Sequence, residues 1–311
     1  MSSVLSFGEA LIDIIADDGA TSLEEAGHFA ARPGGAPANV AVALSRLGVP
    51  AAFCGCVGDD PFGTRLRKVL EADGVDTTNL SAIPGANTTL AFAWKNALGD
   101  GNFRILRMAD LMLTSAMVDV AGVAGRRAIV VGSVNLTAEP SRTAIGHAVS
   151  LAQEANVPVV VDINIRPTMW PSREAARTSC LPIMERATLL KLSVDDAEFL
   201  FDKREPEAIF AALSSQDSIL LLTDGARGAW FRNASGKIEH VPAFAIDPVE
   251  PTGAGDAFTA AIISRYLVSH SAPNRADVAF AAAAGAITAT RIGAIASLPY
   301  LSEIEEFLRR A

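Results

Sequence analysis

The chain has 311 residues, half of them hydrophobic and a fifth charged, which excludes a disordered chain and allows a substantial core in one large α/β unit or two average domains. Its 35 acidic and 26 basic residues give a net charge of -9 without any dense basic cluster, so no nucleic-acid partner is expected, while a small phosphorylated ligand needs only local donors. No stretch reaches the roughly 18 uncharged apolar residues of a membrane helix, and no membrane partner is expected.

The N-terminal MSSVLSFGEALIDII lacks a basic region and carries Glu9 and Asp13 within its apolar run, unlike a secretion signal. Residues 12–31 offer a further short strand and an Asp-Asp-Gly turn, and a helix is predicted from about Pro37 to Leu47. Cys54-Gly55-Cys56 reads as strand, with both thiols on one face. These cysteines and Cys180 have no zinc spacing with the four scattered histidines, so reduced thiols in a cytoplasmic protein are expected. Residues 86–107 alternate around Gly-Asp-Gly at 99–101 and read as a hairpin.

From about residue 120 the rhythm changes. Strands are predicted over 128–134, 158–164, 187–193 and 218–225, with helices over 141–156 and 172–186 and another from about Val194. Their continuous β-branched and leucine runs suit strands covered on both faces. Strand-helix alternation implies right-handed crossovers and a mostly parallel sheet, an α/β fold. A second hairpin is predicted over 230–246 around Asn233–Gly236, and a helix from Ala254 to about Ser269. The segments near 12–31 and 86–107 lack the helices needed to join the parallel sheet, so together they form a small separate sheet, a lid on the main body.

Three stretches are candidates for chemistry. In EPTGAGDAFTAAII (250–263), Gly253 and Gly255 let the backbone turn tightly with unobstructed N–H groups at a helix N-terminus. Such a junction attracts a phosphate or a developing anion. The other reading is a plain glycine-rich loop in which the helix dipole favours Asp256. No GxxxxGK[ST] occurs, and Phe258 stands where a dinucleotide fold needs its third glycine. In RPGGAPANVAVALSRLG (32–48), Gly34-Gly35 precede a helix whose first turn holds Asn39, an amide suited to a polyol; a simple turn is the alternative. In VDINIRPTMW (161–170), Asp162, Asn164 and Arg166 alternate at the C-terminal end of an apolar strand, where open α/β sheets place ligands.

GGAPANVAVALSRLG and PTGAGDAF resemble the two signature regions of the PfkB (ribokinase-like) family of carbohydrate kinases. FGEALIDI, VGDDPFG, FRILRMADLML, DINIRPTMW and GAIASLP are similar to further family segments, in family order. The wording lies nearest the bacterial fructokinases. The resemblance implies a single ribokinase-like domain over 1–311, a three-layer α/β/α sandwich with lid segments inserted at about 12–31 and 86–110. It implies an ATP-dependent phosphotransferase acting on a sugar primary hydroxyl, fructose to fructose 6-phosphate, with Mg²⁺ as cofactor and a homodimer through the lid.

By the same resemblance, Asp256 is the general base and the N–H groups of Gly253, Ala254 and Gly255 form the anion hole. Asp13, Gly34, Gly35 and Asn39 hold sugar hydroxyls, and Arg107 and Arg166 reach the sugar or the phosphates. Lys191, Thr223, Gly225, Gly228 and Thr252 fall at ATP-side positions. The chain departs from the pattern at Glu250-Pro251, where Asp-Thr is common and some members bind potassium. It departs again at Ser193-Val-Asp-Asp196, where an Asn-x-x-Glu motif is linked to Mg²⁺, and at Asp224, where a hydrophobic residue is commoner. The rival readings are a 2-keto-3-deoxygluconate kinase, in which the arginines take a carboxylate, then another sugar or nucleoside kinase, then a non-catalytic ligand-binding regulator.

Overall fold

The computed structural model describes residues 2–95, 101–213 and 218–310. Two βαβ passes open the chain: β1 (Val4–Phe7), β2 (Leu11–Ala16), β3 (Phe29–Gly34), α1 (Ala36–Arg46), β4 (Ala51–Gly58), α2 (Pro61–Ala72) and β5 (Asp76–Ile83). The hairpin β6 (Leu90–Lys95) and β7 (Gly101–Leu106) follows, then α3 (Ser115–Ala121). Regular alternation continues with β8 (Ala128–Gly132), α4 (Ser141–Glu154), β9 (Val159–Asp162), α5 (Arg173–Met184), β10 (Leu189–Ser193), α6 (Val194–Phe201), α7 (Pro206–Ala212) and β11 (Ile219–Thr223). A hairpin, β12 (Ala229–Arg232) and β13 (Ile238–Val241), precedes α8 (Ala254–Ser269), α9 (Arg275–Ala289), α10 (Ala294–Ser297) and α11 (Leu301–Arg310).

Among the described residues the main sheet has nine strands in the order β13-β12-β11-β10-β9-β8-β1-β4-β5. Every pairing from β5 to β11 is parallel, and β12 and β13 close one edge antiparallel. Alternate side chains go to opposite faces. Val130, Val160, Leu189 and Leu221 pack on the face covered by α1, α8 and α9, whereas Ile129, Val131, Val161, Leu190 and Leu222 pack beneath α4, α5 and α6. Both faces are dry, which is why these strands read as continuous apolar runs. Cys54 and Cys56 lie on one face and are buried.

The predicted strands and helices from 128 onward appear within two or three residues of their expected ends, whereas the second hairpin, expected to reach 246, ends with β13 at Val241. Strand β11 stops at Thr223 because Gly225 and Gly228 take positive φ angles of 47° and 97°. Patterning left 61–83 unassigned, yet Pro61 opens α2 after Asp60, whose side chain caps Gly63 N at 2.8 Å. The lid is a separate four-stranded sheet, β3-β2-β6-β7. The predicted hairpin pairs as expected, Leu90 with Leu106 through Lys95 with Gly101; its turn residues 99 and 100 lie outside the described residues.

Ile129 is fully buried at the centre of β8. Ile129→Ala is expected to lower stability by about 2–5 kcal/mol, measured as the shift of the urea unfolding curve at unchanged slope.

Candidate active site

The parallel strands end on one rim of the sheet, and α8 begins above it. Gly253 takes φ 86° and enters the helix; Asp256 falls in its first turn and is 5 % exposed. Among the described residues the N–H groups of Gly253, Gly255 and Asp256 have no hydrogen-bond partner, whereas Ala254 N donates to Pro251 O at 3.1 Å. Of the donors expected in the anion hole, the turn that opens α8 engages that of Ala254, and the next unpaired N–H along the helix among the described residues is that of Asp256.

Beneath this helix end lies a buried ion pair. Lys191 on β10 stands opposite Asp162 on β9 in the parallel register, with Nζ 3.0 Å from Asp162 Oδ1. Thr259, one turn into α8, donates to Asp162 Oδ2 at 2.6 Å. Burial opposes the Lys191 charge, but Asp162, Asp196 and Asp256 outweigh it and hold its pKa above the ordinary value. Lys191 Nζ lies 3.1 Å from where a side chain on Gly255 would begin. Any residue larger than glycine there must push the ammonium aside.

Asn39, in the first turn of α1, donates from Nδ2 to Asp256 Oδ2 at 2.7 Å. Its Oδ1 is buried without a partner among the described residues, an acceptor that a ligand hydroxyl satisfies. Burial pushes Asp256 up to about 6, helped by repulsion from Asp162 and opposed by the Asn39 hydrogen bond and Lys191. Asp13 on the lid strand β2 is pushed to about 7, again chiefly by burial, against the pull of Arg166. Gly34 and Gly35 are small by necessity: a Cβ would fall 2.1 Å from Asp13 Oδ2 and 2.5 Å from Glu9 O.

Asp13, Gly35, Asn39, Lys191, Gly255 and Asp256 line a cavity of about 350 Å³ with Arg166, Asn164, Phe103, Thr252 and Glu9, while Gly34 lies outside its wall. Arg166 Nη1 donates to Asn164 Oδ1 at 2.5 Å, and its guanidinium lies 5.6 Å from the Phe103 ring centre on β7, so the lid rests on the strand-end loop. Glu9 was not expected among the site residues. It is 3 % exposed, caps Ala36 N at 3.1 Å, and burial raises it to about 7. A carboxyl inside an otherwise apolar strand run was the available signal.

Other expected residues lie apart from the cavity wall. Arg107 is turned away: its guanidinium pairs with Asp110 and donates to Val134 O at 2.8 Å and Thr137 Oγ1 at 2.7 Å. The fully buried Asp110 holds it as a brace between the lid hairpin and the strand-end loop after β8. Thr223, Gly225 and Gly228 stand at the end of β11, along the same rim on the far side of β10. A Gly228 Cβ would meet Val241 O at 2.2 Å. Among the described residues no cluster of metal-ligating side chains forms a cage. Asp196 is fully engaged, its two oxygens accepting from Ile165 N and Ser193 N at 2.7 Å each.

The description "pfkB family carbohydrate kinase" matches residues 1–301, and the chain belongs to this family. It is 40% identical to Fructokinase-1 of Zea mays over 99% of this chain and 98% of the maize chain. Among solved structures it is similar to fructokinase with bound ATP from Xylella fastidiosa, with TM-score 0.87 and 30% identity over 99% and 98% of the two chains. It is also similar to the Vibrio cholerae O395 fructokinase in its fructose, ADP and calcium ion bound form, with TM-score 0.87 and 29% identity over 99% of both chains.

Asp256 holds its proton more tightly in the folded protein, about 6, than at its ordinary 3.8. Its contribution to stability is therefore complete below pH 4 and lost as the pH rises through about 6. Asp256→Asn is expected to remove that loss, so that between pH 4 and pH 8 the variant gains on the order of 2–3 kcal/mol relative to wild type. Urea unfolding at the two pH values reads the difference.

Proposed function

We propose that the protein transfers the γ-phosphate of ATP to a sugar primary hydroxyl, converting fructose to fructose 6-phosphate. The observation that carries this reading is the pairing of the free N–H groups at the start of α8 with Asp256 beside them, both opening on a cavity whose other wall offers polyol-binding groups. Relatives and structural neighbours are named as fructokinases, and one binds fructose and ADP.

In this mechanism the sugar lies between Asp13, Asn39 and Asp256. Asn39 Oδ1 accepts a hydroxyl proton, and its Nδ2 orients the Asp256 carboxylate. Asp256 then accepts the proton of the attacking hydroxyl, late in transfer, so its pKa of about 6 is adequate. The N–H groups of Gly253, Gly255 and Asp256 and the α8 dipole receive the transferring phosphoryl group, with the Lys191 ammonium alongside. Phosphoryl transfer is mostly positioning and charge stabilisation, which these groups provide. The nucleotide extends over the ends of β10 and β11, past Thr252 toward Thr223, Gly225 and Gly228. Mg²⁺ neutralises phosphate charge when bound. Asp196 and Asp162 are engaged by the protein, so the ion would be held chiefly by the nucleotide phosphates and water, in keeping with its preference for them. The lid closes over the sugar and excludes water.

A 2-keto-3-deoxygluconate kinase fits less well. Arg107 is engaged by Asp110, leaving Arg166 as the guanidinium at the cavity, and Glu9, Asp13 and Asp256 disfavour an anionic substrate. A homodimer through the lid is consistent with Phe29 and Leu106 at its surface, and cytoplasmic placement with three free buried cysteines.

ADP release with Mg·ATP is expected to be strong with fructose and weak with ribose, adenosine or no acceptor; dominance by 2-keto-3-deoxygluconate would reassign the substrate. Asp256→Asn is expected to reduce kcat by about 10²–10⁴. In the wild type, kcat/KM is expected to rise with pH through about 6 as Asp256 loses its proton. A flat profile over pH 5–8 speaks against Asp256 as base.

A further inference from the structure

Arg32 on the lid strand β3 donates from Nη1 to Glu250 Oε2 at 2.9 Å, a contact between residues 218 positions apart. The same oxygen accepts from Gly293 N, at the start of α10, at 3.1 Å. Both side chains are partly buried, 28 % and 20 % exposed. The main chain before Glu250 is fixed separately, since Val249 N and Glu250 N both donate to Ala289 O at the end of α9. Two residues further on lie Thr252 and Gly253, where the anion-binding turn begins. Arg32 is also register partner to Asp13 across β2 and β3, so the cation sits on the lid strand that flanks the sugar-side carboxyl.

This arrangement bears on potassium, which the resemblance associates with the position of Glu250-Pro251 and which one structural neighbour, a Vibrio cholerae fructokinase double mutant, carries in its potassium ion bound form. The donor set here does not fit it. One oxygen of Glu250, Oε2, already holds both a guanidinium and a backbone N–H. A second cation there would adjoin a fixed positive charge.

We propose that Arg32 is the chain's own cation at this place. Its guanidinium positions the 250–253 turn through Glu250 and couples the anion hole to the seating of lid strand β3, and turnover therefore has no potassium requirement. Arg32 acts as a positioning residue, since it reaches the phosphate site through Glu250. The inference rests on the kinase reading above.

The test uses the full chain, with fructose-dependent ADP release and thermal unfolding each measured in potassium chloride and choline chloride at equal ionic strength. Wild type is expected to behave alike in the two salts. Arg32→Ala is expected to lose about 10- to 100-fold in kcat and in kcat/KM for ATP, the scale of a small misplacement of a catalytic group. Methylguanidinium should restore part of the turnover and raise the unfolding midpoint of Arg32→Ala, with no such effect on Arg32→Ala/Glu250→Gln. Arg32→Lys, which keeps the charge without the planar fork, should fall between the two. A potassium stimulation of wild type by about tenfold or more overturns the proposal, as does an Arg32→Ala variant with wild-type kinetics; tenfold corresponds to about 1.4 kcal/mol. If no acceptor supports turnover, the kinase reading fails, and the unfolding midpoints still decide this one. A potassium-specific rise in wild type overturns it, and a methylguanidinium-specific rise confined to Arg32→Ala supports it.

Discussion

The site depends on the ion pair between Asp162 and Lys191, buried between the sheet and the first turns of α8. Taking two charges out of water is costly, and a buried pair repays that cost only when its remaining hydrogen-bonding capacity is met. Here Thr259 reaches down from α8 to the second Asp162 oxygen, so the pair fastens the helix to the sheet. It also places a retained positive charge next to Gly255. Asp162 and Lys191 act on Asp256 in opposite senses, one raising its proton affinity and the other lowering it. Removing either member would leave an uncompensated buried charge within reach of Asp256, and that makes the pair more restrictive than either residue alone.

The cavity has a divided electrostatic character that follows from where its walls originate. The connection from β1 to β2, the lid and the first turn of α8 contribute Glu9, Asp13 and Asp256, all pushed up by burial. Carboxyls near neutrality are versatile partners for hydroxyls, because protonated they donate and ionised they accept. The opposite side offers free backbone N–H groups and Lys191. A neutral polyol suits the first wall and a phosphate the second, and the boundary between them falls at Asp256. In the proposed reaction the attacking hydroxyl therefore lies beside this carboxyl.

Much of this was legible in the sequence, for local reasons. The start of α8 is marked by two glycines and its length by an unbroken small and apolar run, and β8 to β11 are doubly buried strands that read as such. Asn39 and Asp256 were found because each sits in a helix first turn after glycines. What escaped was non-local. Arg107 was read as free because nothing nearby shows that Asp110 is fully buried and therefore obliged to take a guanidinium. The Ala254 N–H is bonded to the Pro251 carbonyl, a fold-back that no local pattern in the sequence reveals. Glu9 reads as one charge in an apolar run, although a buried carboxyl has to be paired or used. The link from Arg32 to Glu250 joins residues in different sheets and loops, so no periodicity reveals it.

That link also bears on how a kinase avoids transferring phosphate to water. A phosphate site complete at all times would serve any nucleophile that diffused in, and excluding water is one function of a closing lid. Arg32 and Asp13 are partners on adjacent lid strands, so in the proposed mechanism a sugar held by Asp13 bears on the strand that carries Arg32. Through Glu250 that strand is tied to the turn that carries the Gly253 and Gly255 N–H groups. A mobile cation could neutralise Glu250 equally well, but it would be indifferent to the lid. On the proposal above, a guanidinium carried on the lid strand ties the order of the anion hole to the acceptor being in place, and so directs binding energy from the sugar to the transfer step.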